Sequence, residues 1–188
     1  MPRKHDDFLR NLNVPWLTKD GSVNLARLPI EATLAQALSR EPGEYRSACH
    51  TLGSIAGAGR AEAAVFLAGM LRYCVGDMAK REVVAKALGQ VHTKECARVL
   101  FEELERTESS NTTRVFIKTI LKAVAGFPPE LVQDRLMELR ADPKWSYRMK
   151  RNFEDILDEI NYRSREASRL RSRLTESPGS GQLTDDSV

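Results

Sequence analysis

The sequence predicts an all-α protein, an α-solenoid of about three helical hairpins with a capping helix at its C-terminal end. Three observations predict this architecture. Alternating strand patterns are nearly absent after residue 30, apolar residues recur at the i, i+4 and i+7 positions of amphipathic helices, and the same apolar face returns every 33–36 residues. A unit of this length, made of two antiparallel helices, buries its apolar face by stacking on its neighbours.

The first 43 residues are the least regular part of the chain. A short helix is predicted from Asp6 to Leu12, followed by loop and turn residues. A second helix is predicted from Pro29 to Ser39, with Ile30, Leu34 and Leu38 on one face. We expect this helix to cover the end of the first repeat, because a terminal unit must hide one face of the stack.

Residues 44–162 carry two alternating sets of helices. The first helix of each unit has a central leucine, and the last of these helices is predicted from Lys144 to about Tyr162. The apolar stripes of the first helices are Ala48, Leu52 and Ile55; Val84, Leu88 and Val91; Ile117, Leu121 and Val124; and Phe153, Leu157 and Ile160. The stripes of the second helices are Ala64, Leu67 and Leu71; Ala97, Leu100, Phe101 and Leu104; and Leu131, Val132, Leu136 and Leu139.

Short turns separate the helices, and polar residues beside them are candidates for helix caps. Asp77 and either Ser110 or Asn111 are predicted to cap first helices, because their side-chain oxygens accept hydrogen bonds from unpaired backbone amides. Asp142 is predicted to cap the last helix, with Pro143 in its first turn.

Two segments share a motif. Arg46–Leu67 and Arg81–Leu100 each carry Leu-Gly near the end of the first helix, at Leu52-Gly53 and Leu88-Gly89, then a short turn and a second helix. In this pattern both segments resemble the HEAT-repeat family. The third unit departs from the pattern, because Leu121-Lys122-Ala123 stands where the others have Leu-Gly. The resemblance covers about residues 44–162. It implies a right-handed solenoid of HEAT-like hairpins that serves as a binding scaffold, with the second helices lining a concave face.

The formal net charge of +3 hides an uneven distribution. Nine basic and five acidic residues lie between Lys144 and Arg173, whereas Thr175 to Val188 contains three acidic residues and no basic one. We therefore divide the chain into an irregular N-terminal segment with a capping helix (1–43), a HEAT-like solenoid (44–162), and an Arg-rich extension with a disordered acidic tail (163–188).

No arrangement of residues predicts catalysis. The histidines His5, His50 and His92 form no HExxH motif, and no glycine-rich phosphate loop is present. The cysteines form no CxxC pair and are typical of small buried side chains; they are Cys49, Cys74 and Cys96. Four carboxylates of the last helix are expected to form a solvated face rather than a cation site; they are Glu154, Asp155, Asp158 and Glu159. We expect no enzymatic activity, metal or cofactor.

The location of the protein is predicted from its apolar segments. Acidic residues directly follow the first basic residues, which argues against a secretory signal peptide. No apolar stretch approaches the roughly 20 residues that span a membrane. We expect a soluble, cytoplasmic protein that does not bind a membrane.

A protein partner is the leading functional hypothesis. The exposed residues of the second helices have mixed charge, which is unsuited to a channel for a polyanion. The candidate partner-binding residues are Arg60, Arg72, Lys94, Arg98, Glu102 and Arg135. We expect them to bind another protein from the concave face.

Nucleic-acid binding is the alternative hypothesis, since arginines contact phosphates well and aromatic side chains stack on bases. The candidate residues are Arg148, Lys150, Arg151, Arg163, Arg165, Arg169, Arg171 and Arg173, with Trp145 and Tyr147 beside them. A plainer interpretation is that Trp145 packs inward and the basic residues are only solvated. A third and weaker alternative is an enzyme such as the HEAT-like chromophore lyases, for which the sequence offers no catalytic residue.

Overall fold

The all-α prediction is confirmed. The computed structural model describes residues 15–16, 18, 22–74 and 76–175, and these residues form helices and connecting turns without a β-sheet. The chain divides into two compact units, residues 1–132 and 133–188. The predicted helix from Asp6 to Leu12 and the predicted tail after Thr175 lie outside the described residues.

Within the described part of the chain, eight α-helices follow a short 3-10 helix at Leu25–Arg27. They are α1 (Glu31–Gln36), α2 (Pro42–Gly57), α3 (Ala61–Tyr73), α4 (Met78–Leu88), α5 (Lys94–Arg106), α6 (Arg114–Ala125), α7 (Pro129–Ala141) and α8 (Tyr147–Thr175).

The first unit contains two sets of packed helices. Helices α2, α4 and α6, here called the A-helices, lie side by side, with α4 in contact with both of the others. Helices α3 and α5, the B-helices, contact each other and the A-helices. Most residues of the predicted apolar stripes form the core, and the central leucines Leu52, Leu88 and Leu121 are buried. The prediction of Ala64 was wrong by one position, because Ala63 is the buried alanine of α3 and Ala64 is only half-buried. This arrangement agrees with the helical hairpins predicted from the sequence.

Two glycines allow the A-helices to approach closely. A Cβ built on Gly53 would lie 2.8 Å from the carbonyl oxygen of Ala87, and one built on Gly89 would lie 2.7 Å from the Cβ of Ala123. The glycines are 36 residues apart, and so are the alanines that they face. The same close contact therefore recurs at the interval of the repeat, and Ala123 rather than Lys122 takes part in it.

The N-terminal helix is shorter than predicted. Helix α1 begins at Glu31 and ends at Gln36, and it packs against α2 as expected for a covering helix. Ile30 is buried, but Leu38 is 63% exposed, so its predicted place on the buried face is wrong. The backbone turns at Ala37, which is itself buried, and Leu38 consequently leaves the helical register.

The predicted caps are partly correct. The Asp77 side chain accepts a hydrogen bond from the backbone amide of Lys80 and caps α4 as predicted. The prediction of Ser110 or Asn111 as a cap of α6 is wrong, because the helix begins at Arg114 and residues 111–113 form a turn.

The cap of the last helix also differs from the prediction. Asp142 accepts a hydrogen bond from the amide of Lys144 in a turn that precedes the helix. Helix α8 begins only at Tyr147, where the Ser146 hydroxyl accepts a hydrogen bond from the amide of Met149. It continues to Thr175, well beyond the predicted end near Tyr162. The Arg-rich segment is therefore helical and continuous with the last core helix.

Candidate functional site

A groove of about 600 Å³ lies between the two B-helices. Helix α3 provides one wall, on which small residues recur at helical spacing as Ala61, Ala64, Ala68 and Gly69. Helix α5 provides the other wall. The lining is mainly apolar, and we call this site the B-groove.

Small side chains keep the B-groove open. A Cβ built on Gly69 would meet no atom within 4 Å, so space remains above this residue. Val65 lies on the same wall and is 71% exposed, whereas Cys96 and Val99 of the other wall are buried. Within the first unit, the exposed apolar surface of Val65 is therefore available to an incoming side chain.

An ion network lies along the B-groove, since Arg72 and Arg98 both line it. The Arg72 guanidinium donates to Glu102 Oε2 at 2.6 Å, and the Arg98 guanidinium donates to the other carboxylate oxygen of Glu102. Partial desolvation opposes ionisation of Glu102, but the hydrogen bond from Arg98 and the charges of both arginines outweigh it and lower its pKa. The network carries two positive charges and one negative charge, so it has a net positive charge.

Arg60 has a structural role that the sequence did not reveal. Its guanidinium donates to the backbone carbonyl oxygens of Leu28 at 3.0 Å and Ala26 at 3.3 Å, and it pairs with Glu62. It thereby fastens the 3-10 helix region to the start of α3. Its hydrogen-bonding groups are largely used within the protein.

The two remaining predicted partner residues are not members of this ion network. Lys94 is exposed at the first position of α5 and is not part of the lining of the B-groove. Arg135 belongs to the second unit, where it pairs with Glu138 on α7. Of the six predicted residues, the structure brings together Arg72, Arg98 and Glu102.

The aromatic and basic residues near the start of α8 are divided between core and surface. Trp145 is buried and contacts the edge of the Phe153 ring, with the ring centroids 5.5 Å apart. Tyr147 is 81% exposed, and Arg148 and Arg151 are exposed beside it, whereas Lys150 is half-buried. The plainer interpretation of Trp145 as a packing residue therefore agrees with the structure.

The Arg-rich extension of α8 is solvent-facing. All side chains from Tyr162 to Arg169 are exposed, including Arg163, Arg165 and Arg169. Arg171 and Arg173 lie on the same helix.

A buried ion pair that sequence reasoning missed joins α4 to α5. Arg81 donates to Glu103 at 2.7 Å, and both side chains are more than 90% buried. The guanidinium also lies over the Phe116 ring, 4.2 Å from its centroid. Only the position of Arg81 on the inner side of its helix, seven residues before Leu88, signalled this contact.

The described histidines have partners within the protein, and two of the cysteines are buried. His50 shares a 3.0 Å hydrogen bond with Gln90, and His92 lies against the Phe127 ring. Cys49 and Cys96 are buried, and burial raises the pKa of both thiols. Across the part of the chain that the structure describes, no three His, Cys, Asp or Glu side chains are grouped as a metal site would require.

Each described helix is too short or too polar to cross a bilayer. No protein-family model, curated protein or solved structure matches the chain. The fold and the site thus define an all-α protein with an open, mainly apolar groove, and its function is inferred from its own geometry.

Proposed function

We propose that the protein is a non-enzymatic scaffold of HEAT-like hairpins that binds a protein partner through the B-groove. The observation that carries this proposal is an open apolar groove without an internal occupant among the described residues. Exposed apolar surface that is concentrated in a groove is characteristic of binding sites.

The chemistry of the groove favours a particular kind of partner segment. The small residues Ala64, Ala68 and Gly69 leave space for apolar side chains, and Val65 offers them contact area. Arg72 and Arg98 place two guanidinium groups on the lining, beside one lining carboxylate, Glu95, and guanidinium groups can bind an acidic group next to these apolar side chains. The expected ligand is therefore an amphipathic protein segment with apolar anchors and a carboxylate near them.

Capture experiments with matched variants test this proposal. Val65→Asp places a charge in the B-groove, while Val23→Asp makes the same change at another exposed valine outside it. In a nuclease-treated lysate, wild type and Val23→Asp should retain the same protein, and Val65→Asp should lose it.

The loss of affinity is then measured with purified proteins. The lost burial of one valine is worth about 1.5–3 kcal/mol, so Val65→Asp should weaken binding of the isolated partner at least tenfold in titration calorimetry. Arg98→Glu should also weaken it, because the charge of the network is inverted. Equal affinity of wild type, Val65→Asp and Arg98→Glu for every captured protein would show that the B-groove is not the binding site.

Nucleic-acid binding by α8 is a second candidate function. It is favoured by Arg165 and Arg169, which are exposed on a helix that continues beyond Ile160, the last buried residue among the side chains that the structure describes. Phosphate contacts would make this binding strongly dependent on salt. Substitution of both arginines by Gln should abolish a mobility shift of DNA or RNA at low salt. The absence of any shift with the unsubstituted protein would reject this candidate.

A further inference from the structure

The A-helices carry two neighbouring clefts with a different character from the B-groove. One cleft of about 690 Å³ lies between α2 and α4, and one of about 460 Å³ lies between α4 and α6. Lys86 lines both of them, so the two clefts form one continuous surface. We call this surface the A-face.

Cations dominate the charge of the A-face. Arg46 lies on α2, Lys86 on α4, and Lys118 and Lys122 on α6, and all four are exposed. Glu82 is the single carboxylate among the lining residues. Four cations against one anion leave a net charge of +3 on a surface that three packed helices hold in place.

The A-face and the B-groove differ in whether their cations are paired with carboxylates. Arg72 and Arg98 of the B-helices both pair with Glu102. Among the described residues, the four A-face cations form no ion pair within 4.0 Å. Their charge is therefore available to an external anion.

The size and composition of the surface indicate the kind of anion. Packed helices lie about 8–10 Å apart, so cations on three A-helices are spread over about 20 Å. A nucleic-acid duplex carries one charge per about 1.7 Å of its axis and would present several phosphates to each helix. The lining contains no Phe, Tyr or Trp on which an unpaired base would stack.

We propose that the A-face binds the phosphodiester backbone of double-stranded nucleic acid. The lysines act as point charges on phosphate oxygens, so binding depends on the backbone rather than on base sequence. Gln90, which also lines both clefts, can donate a further hydrogen bond from its amide. This site shares no lining residue with the proposed protein-binding groove and does not depend on it.

The salt dependence of DNA binding tests the proposal directly. Fluorescence anisotropy of the full chain is measured with a labelled DNA duplex of about 20 base pairs between about 50 and 200 mM salt. Three to four phosphate contacts give a slope of about −3 in a plot of log K against log salt. The combined variant Lys86→Gln, Lys118→Gln and Lys122→Gln should reduce the slope to about −1 and weaken binding at least tenfold at the lowest salt.

Matched variants and probes show whether the A-face itself holds the duplex. Arg27→Gln removes one positive charge, as each A-face substitution does, from an exposed residue outside both clefts, and it should bind as wild type does. Circular dichroism should show equal helix content in all variants. A single strand of the same length should bind no more tightly than the duplex, since the lining offers no Phe, Tyr or Trp for stacking.

Several outcomes would overturn the proposal. One is the absence of duplex binding at low salt. Another is loss of binding in an Arg165→Gln, Arg169→Gln variant with full retention in the A-face variant, which would place the interaction on α8. A third is an affinity for poly-glutamate, with the same total charge as the duplex, that equals the affinity for the duplex. This would indicate an acidic protein segment as the ligand.

Discussion

The close contact between Gly89 and Ala123 provides the sharpest test of how the A-helices pack. Gly89→Ala places a methyl carbon 2.7 Å from the Cβ and 3.1 Å from the Cα of Ala123. Carbon atoms pack best at about 3.5–4.0 Å, so α4 and α6 must separate by nearly 1 Å or strain their side chains. Insertion of a methyl group into such a contact costs about 1–3 kcal/mol.

The backbone preference of alanine offsets only part of this cost. Alanine is favoured over glycine by about 1 kcal/mol inside a helix, but Gly89 lies at the C-terminal cap of α4, where the gain is smaller. We expect Gly89→Ala to lower the free energy of unfolding by about 1–2 kcal/mol. For a domain of this size the melting temperature falls by roughly 2–8 °C.

A double-mutant cycle identifies the contact as the cause. Ala123→Gly removes the opposing methyl group, so Gly89→Ala should be less destabilising in that background, with a coupling energy of about 1 kcal/mol or more. The free energies come from urea denaturation of the four proteins. Additivity within about 0.5 kcal/mol, or a Gly89→Ala variant as stable as wild type, would refute close packing as the cause.

Three other predictions concern stability. Gly69→Ala should raise the free energy of unfolding by about 0.5–1 kcal/mol, because a Cβ at this mid-helix position meets open space; a loss of stability would contradict this. Glu103→Leu should cost about 3–5 kcal/mol in urea denaturation by leaving Arg81 buried and unpaired, and Arg81→Met in the same chain should recover most of it. Burial raises the pKa of Cys49 from 9.0 to about 11, so the folded state favours the neutral thiol. This preference contributes about 3 kcal/mol to the free energy of unfolding, and the contribution is present below pH 9 and lost as pH rises toward 11. Between pH 9 and 11 the Cys49→Ala variant should therefore lose less stability than wild type. Equal dependence of the free energy of unfolding on pH in the two proteins would refute a role of Cys49 in this loss.

The sequence predicted the helices well because their signal is local. Apolar spacing located the buried faces around Leu52 and Leu88, and the Leu-Gly pairs marked the positions where helices approach closely. Small residues in a periodic pattern are read directly from sequence, since their packing consequence depends little on the partner helix.

Features that depend on distant partners were less accessible. Glu103 faces Arg81 across 22 residues of sequence, and a glutamate on a helix ordinarily indicates solvent exposure. Arg60 was predicted to contact a partner, whereas its guanidinium is bonded to the carbonyl oxygens of Ala26 and Leu28. Periodicity identifies a face of a helix but not which of its charges are already paired.

Helix boundaries were the other weak point. Asp142 and Pro143 carry the signature of a helix start, yet Trp145 occupies the core before α8 begins at Tyr147. Burial of one large aromatic ring outweighs the modest energy of a capping hydrogen bond. The local signal was therefore overridden by packing.

The exposed end of α8 also has a consequence for local unfolding. From Tyr162 to Arg169 no side chain is buried, so the backbone hydrogen bonds there are protected only by the marginal stability of an isolated helix. Amide hydrogen exchange should be slow up to Ile160 and fast beyond it within one continuous helix. A ligand bound to these arginines would slow that exchange, so the exchange rate of this segment measures directly whether a ligand is bound to it.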